Sequence, residues 1–322
     1  MHKSLFLSKM TRESLEAARD LNPTSVFVGA STLDAATVTN MRKVLDGAEI
    51  YAEVGIFVGQ ALIDKYPDAK PVEAFGKATA KDWYVGVCPT HPGVRKDVLE
   101  KIKSLTKLGV DGIWLDFIRY PSKWEEPRPY ILDTCYCPRC MSLFEEFIGE
   151  KLVAANLEEL ALLIDGSYYH EWLQFKAGQI TSLVKETRKL IDESGKKITL
   201  GLFAVPWREN EYGAGIKRIV AQDFGALAEL VDVFSPMLYH KMCGKDVAWI
   251  KEMVAYFWHV NKPFLPLIQT ESRVAEITAH EFEQALCNAS ASPSMGVCVF
   301  FLEDLLKQPE KLNIVKDYFA KN

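Results

Sequence analysis

No stretch of this chain approaches the roughly 20 consecutive apolar residues that a bilayer-spanning helix needs, so a membrane protein is not expected. There is no excess of positive charge either. Lys plus Arg number 38 against 43 Asp plus Glu, a net charge of −5. A dedicated nucleic-acid binder would carry a basic face, and a polybasic membrane anchor a Lys/Arg cluster. No G-x-G-x-x-G follows an early apolar run and no Walker sequence occurs, which argues against an open, doubly wound nucleotide-binding sheet. No Gly/Ser-rich linker divides the chain, so residues 1–322 are expected to form one domain. Met1–Met10 (MHKSLFLSKM) holds only a short apolar triplet and lacks the apolar core and cleavage site of a secretory leader. The expected location is the cytoplasm, or the exterior if a leader is absent from this chain.

What is present is ordinary in amount and informative in arrangement. Hydrophobic residues make up 48% and charged residues 25% of the 322 residues, as in soluble globular chains able to bury a large core. Eight short apolar runs recur: Ser25–Ala30, Glu49–Phe57, Trp83–Pro89, Gly112–Ile118, Ile198–Pro206, Val233–His240, Pro263–Glu271 and Gly296–Leu302. Their shortness and their Val, Ile and Phe content favour strands. Amphipathic stretches alternate with them, among them Val94–Leu108, Phe175–Ile191, Phe224–Val231 and Val247–Val260. Strand then helix predicts a parallel sheet, and eight repeats predict a closed (β/α)8 TIM barrel. The long interval after the fourth run predicts a rim insertion over about 121–170, within a Pro121–Ser194 region that ends in the helix returning to the fifth strand.

Active sites of such barrels lie at the C-terminal ends of the strands. That rule selects Glu53, His91, Asp116, Arg119, Trp207, Tyr239, His240, Glu271, Glu303 and Asp304. Asp116 is the sharpest of these. It interrupts an apolar strand, where a lone carboxylate is costly, so it needs an open strand end and a partner; Arg119 is the nearest. A structural Asp–Arg pair that ties the loop to the barrel mouth satisfies the same requirement. Period-two alternation puts Trp114 on the same face as Asp116.

The segment Gly109–Pro121 (GVDGIWLDFIRYP) resembles the fourth-strand motif of a group of glycoside-hydrolase-like (β/α)8 barrels marked by Asp-(Tyr/Phe)-Ile-Arg-(Tyr/Phe)-Pro. Gly201–Trp207 (GLFAVPW) and Val231–His240 (VDVFSPMLYH) are similar to the same group, so the resemblance runs from about Glu49 to Leu302. It implies a glycosidase fold and leaves the sugar open. The segment is also similar to the D-G-x-D-x-D-x-E strand of chitinase-like barrels. Here, however, Trp114 replaces the middle Asp and Ile118 the catalytic Glu, which argues against that mechanism. The metal-dependent amidohydrolase barrel needs H-x-H on its first strand, and SVFVGA has no histidine.

Glycoside hydrolysis generally uses two carboxyl groups across the scissile bond, about 5–5.5 Å apart for retention and about 6.5–9.5 Å for inversion. Asp116 and Glu271 are the expected catalytic pair, since the fourth and seventh strands face each other across a barrel. Glu53 is a rival set among apolar neighbours, and Glu303 either serves the site or caps a helix. Arg119, His91, Trp207, Tyr239 and His240 are the expected substrate-binding residues, the aromatic ones offering flat faces to a pyranose. The expected partner is a carbohydrate, with no nucleic acid, no membrane and no catalytic metal. An inactive sugar-binding barrel with the same aromatic cleft is the alternative.

Cys135, Cys137 and Cys140 form a C-x-C-x-x-C cluster in the insertion. Three readings stay open: a structural zinc site, a disulfide, or free thiols with a packing role. A fourth zinc ligand would have to come from Cys88, Cys243 or a histidine. The cluster is expected on the insertion, outside the barrel core.

Overall fold

Eight strands whose side chains alternate between the barrel interior and the helical layer make one parallel sheet: β1 (His2–Leu7), β2 (Ser25–Gly29), β3 (Glu49–Gly55), β4 (Gly112–Asp116), β5 (Thr199–Ala204), β6 (Val233–Pro236), β7 (Leu267–Gln269) and β8 (Gly296–Phe300). The computed structural model describes residues 1–75, 80–81, 84–131 and 133–322. Around the sheet the order is β6-β5-β4-β3-β2-β1-β8-β7. Parallel bridges Phe234–Phe264 and Met237–Leu267 bring β6 to β7. The chain is therefore a TIM barrel, closed by a full ladder everywhere except at this seam.

One barrel strand was not expected and one expected strand is not in the barrel. His2–Leu7 is the first barrel strand, paired on both sides, with Ser4 Oγ 2.7 Å from Ser25 Oγ. Its polar first half hides it in the sequence. The Trp83–Pro89 run is not a barrel strand. Trp83 lies outside the described residues, Tyr84–Val85 pairs antiparallel with Ala80–Lys81, and Gly86 bridges Val58 antiparallel. Its apolar side chains are there to be buried on the rim: Val87 and Cys88 are fully buried. One strand gained and one lost leave Gly112–Asp116 fourth, as expected.

The barrel interior is filled by aromatic rings stacked in a layer. Trp114 stacks on Tyr51 at 4.4 Å, meets Phe27 edge-on at 5.1 Å and donates from Nε1 to Ser235 Oγ at 2.9 Å. A Cβ at Gly201 would stand 1.9 Å from the Trp114 ring, so the glycine on the neighbouring strand is what admits the indole. Trp114 is thus core rather than a sugar platform.

Between β4 and β5 lie helices Pro138–Ile148, Leu157–Ser167 and Tyr169–Glu193. Tyr136, Phe144, Ile164, Trp172 and Phe175 form a separate small apolar cluster there. Cys135, Cys137 and Cys140 do not stay outside the core as expected: they belong to the same contiguous buried cluster as the barrel. Among the described residues, no helix is long and apolar enough to cross a membrane.

Candidate active site

At the C-terminal ends of the strands the barrel opens into a cleft of about 410 Å³. Glu53, Asp116 and Glu125 bring carboxyl groups to it. In the β3–β4 register Gly55 is level with Asp116 and Glu53 with Trp114. Glu53 therefore points to the same face as Asp116, one pleat lower. Spacings of about 4.8 Å between strands and 3.3 Å per residue put their Cα atoms about 8 Å apart. The longer Glu side chain makes up the height. Its carboxyl lies beside the backbone of Gly29 and Gly55.

The two carboxyls have unequal company. Asp116 Oδ1 accepts from the Phe117 backbone N–H at 2.6 Å and lies 3.9 Å from Arg119 Nη1. Phe117 holds φ at +50°, a left-handed conformation that a bulky residue adopts at a cost, and so turns the chain directly after Asp116. Arg119 is buried, stacks over the Phe117 ring at 4.5 Å, and leaves Nε and Nη1 without hydrogen-bond partners. Burial raises the Asp116 pKa, and Arg119 and the Phe117 N–H oppose the rise. Glu53 has only the more distant charge of Lys101 to oppose the rise. Burial, reinforced by the negative charge of Asp116, pushes its pKa up to about 8. The pair titrates as a unit, and its last proton belongs on Glu53. Burial also raises Glu125, against the pull of Arg119.

Tyr239, one of the expected residues, lines the cleft; burial first, then Asp116 and Glu125, hold its phenol well above the usual range. The other expectations land elsewhere. Glu271 is exposed, bonded to Gln308 Nε2 at 3.1 Å, because β7 ends at Gln269 and the chain then turns outward, its turn held by Gln269 Nε2 donating to the Glu271 carbonyl. His91 caps helix Pro92–Leu105 through Nδ1 and reaches Asp68 with Nε2 at 3.2 Å. Trp207 is packed on Tyr212 and against Gly215. His240 is buried with Nε2 3.1 Å from Glu281, burial lowering its pKa. Glu303 accepts from the Ser8 and Lys9 backbone and ties down the loop after β1; Asp304 pairs with Lys307. None of these lines the cleft. Glu125 and Arg273 are in it and were not foreseen; both sit in rim loops, beyond any strand pattern. A second groove, of about 580 Å³, lies in the outer layer between helices Pro92–Leu105 and Tyr169–Glu193, away from the strand ends.

None of the seven cysteines is in a disulfide. Cys88, Cys135, Cys137 and Cys140 are buried with their sulfurs within 4.8 Å of one another. Cys88 Sγ is 3.4 Å from Cys140 Sγ and 3.9 Å from Cys137 Sγ. Tetrahedral zinc with Zn–S of about 2.3 Å spaces its sulfurs at about 3.8 Å. The four thiols can therefore close on one metal ion. The Val72 N–H at 3.4 Å from Cys135 Sγ and the Thr90 hydroxyl at 3.2 Å from Cys140 Sγ are suited to support thiolate charge.

No protein-family model matches the sequence, and no curated protein sequence does. Solved structures do match in shape. A β-galactosidase from the psychrophilic Marinomonas ef1 superposes with a TM-score of 0.71 at 10% identity over 100% of this chain and 59% of its own. A GH42 β-galactosidase from G. stearothermophilus gives 0.65 at 13% identity, covering 98% and 57%. The glycoside hydrolase domain of PelA from Pseudomonas aeruginosa gives 0.52 at 12% identity, covering 94% and 96%. The chain thus spans under two thirds of the length of the galactosidases it resembles. At these identities the likeness is one of fold: this is a barrel of the shape that glycoside hydrolases use.

Proposed function

We propose that the protein hydrolyses O-glycosidic bonds and that Glu53 and Asp116 are the reacting carboxyl pair. What supports this most is the proton on Glu53. A carboxyl group that stays protonated to about pH 8 can act as general acid at neutral pH. Asp116, with Arg119 and the Phe117 N–H on its side, is the partner that ionises, and serves as base or nucleophile. Glu53 gives its proton to the glycosidic oxygen as the C–O bond breaks. Asp116 stabilises the positive charge that develops at the anomeric carbon, directly or through a water it deprotonates. Glu53 takes over the role first expected of Glu271. The fold of the neighbouring glycoside hydrolases agrees with this reading. A screen of aryl glycosides tests it: turnover by the wild type and its loss in both Glu53→Gln and Asp116→Asn are expected. Turnover that survives both substitutions would refute the assignment.

We also infer that the four cysteines hold a structural zinc ion. Four thiolates leave no open coordination position, so the metal takes no part in the reaction. It joins the end of the Trp83–Pro89 run, through Cys88, to the start of the insertion, and so fixes the rim. Metal analysis showing no near-stoichiometric zinc, with four readily titratable thiols, would refute this.

A further inference from the structure

Beyond the reacting pair, the cleft offers a substrate few polar groups. Phe6, Phe203, Phe300 and Phe301 wall one side, Phe6 lying 5.1 Å from Phe300, 5.4 Å from Phe301 and 6.3 Å from Phe203. The polar side chains left in the lining are Tyr239, Glu125 and Arg273. Glu125 and Arg273 also line a second cavity, of about 500 Å³, that adjoins the first and adds Lys123, Glu126 and Arg128. Hydrogen-bonding groups are therefore concentrated where the two cavities meet.

Glu125 is the group there that the fold does not account for. Among the described residues, no other one hydrogen-bonds or pairs with its carboxyl group, toward which only its own backbone N–H turns. Its loop is nevertheless pinned. Trp124, next to it, is buried and stacks on Tyr239 at 5.8 Å. Lys123 Nζ holds Glu126 at 3.1 Å, and the Tyr130 N–H donates to the Lys123 carbonyl at 3.2 Å. Pro127 packs on Gly244, where a Cβ would stand 2.7 Å from the proline ring. A carboxyl group fixed deep in a cleft without a partner costs free energy, which a partner from outside the chain would offset.

The charges around Glu125 say what kind of partner. Lys123 is met by Glu126, and the positive charge of Arg273 favours the ionised form of Glu125. The junction thus presents an acceptor and a donor of opposite charge. A hydroxyl group can donate to the carboxylate and accept from the guanidinium, so neighbouring hydroxyls satisfy both. An ion of either sign would be repelled by one of the two.

Resting on the glycosidase reading above, we propose that the second cavity holds a second sugar unit of the substrate, and that Glu125 and Arg273 bind its hydroxyl groups. The preferred substrate is then a disaccharide or a longer chain, with one unit at Glu53 and Asp116 and its neighbour at Glu125.

The test uses the methyl glycosides of glucose, galactose, mannose and xylose and the methyl disaccharides built from them, in both anomers and through each hydroxyl group. Cleavage is read by chromatography of the products. We expect at least one disaccharide to exceed the methyl glycoside of its cleaved unit by about 10- to 100-fold in kcat/KM, as one charged hydrogen bond supplies. Glu125→Gln keeps the shape and loses the charged acceptor, and should cut that ratio about fivefold or more. Arg273→Gln should cut it too, and carries the comparison if Glu125→Gln does not fold. The ratio is the readout because a merely structural Glu125 would depress both substrates alike. A wild-type ratio near one for every disaccharide, or a ratio that these substitutions leave intact, overturns the proposal and leaves the glycosidase reading standing. If no member of either set is cleaved, the underlying reading fails, and this proposal with it.

Discussion

Asp111 and Asp116 stand at opposite ends of the same short strand, and the barrel treats them differently. Asp111, at the N-terminal end of β4, accepts from the Ile50 backbone N–H at 2.7 Å and from Arg42, which also donates to the Gly109 carbonyl. Its bonds are ordinary and its neighbours relaxed. Asp116, at the other end, has one backbone donor delivered by a left-handed Phe117, an arginine 3.9 Å away, and a second carboxyl group facing it. One aspartate fastens the bottom of the barrel; the other is held in a setting that raises its free energy. The C-terminal face of a barrel is built from loops that can be varied without unfolding the sheet, and this is where such strain can be kept.

That contrast is open to direct attack. The largest effect is expected from Asp116→Asn and Glu53→Gln. Each should lower kcat on a cleaved glycoside by about 10³-fold or more while leaving the thermal transition cooperative. Glu53→Gln should also be more stable than the wild type at pH 9 and nearly equal to it at pH 5. The folded Glu53 binds its proton up to about pH 8 against an ordinary value of 4.5, so the wild type loses stability as pH rises through that interval and the amide does not. Thermal melts across pH 5–9 measure it.

Next in size is the cysteine cluster. Cys140→Ser, or chelation of the wild type, should lower Tm by roughly 5–10 °C with release of zinc, read by a colorimetric chelator. The substitution at the quiet end of β4 comes after that. Asp111→Asn should cost about 1–3 kcal/mol in denaturant unfolding through the lost charged hydrogen bonds, with kcat changed by less than about threefold. Smallest of all is Glu271→Gln, where activity should be unchanged within about twofold, because the side chain points away from the cleft.

Much of the barrel was legible in the sequence, and the failures have physical causes. The Asp116 segment stood out because a carboxylate inside Ile-Trp-Leu-Asp-Phe-Ile needs an open strand end and a partner, and the fold places it at a strand end with Arg119 nearby. Cys88 was already among the possible fourth ligands for Cys135, Cys137 and Cys140, though only the fold could select it. β1 escaped because its polar half carries no strand signal. Trp83–Pro89 misled because burial on a rim and burial in a sheet demand the same side chains. Glu271 was chosen on the rule that strands four and seven face each other; in the ring β8 is the strand opposite β4, and β7 stops two residues short of Glu271. Glu125 and the phenylalanine wall become visible only when loops and strands distant in sequence are brought to one opening.

The central claim is that burial, reinforced by the neighbouring carboxylate of Asp116, keeps the proton on Glu53 at neutral pH. Carbon NMR on protein labelled at its glutamate carboxyls reads this without any substrate. A carboxyl signal titrating near pH 8 should be present in the wild type, vanish in Glu53→Gln, and move to lower pH in Asp116→Asn, where the neighbouring negative charge is gone. If the signal lost in Glu53→Gln instead titrates in the ordinary range near 4.5, or does not move when Asp116 is neutralised, Glu53 is not the acid and the account of this site is wrong.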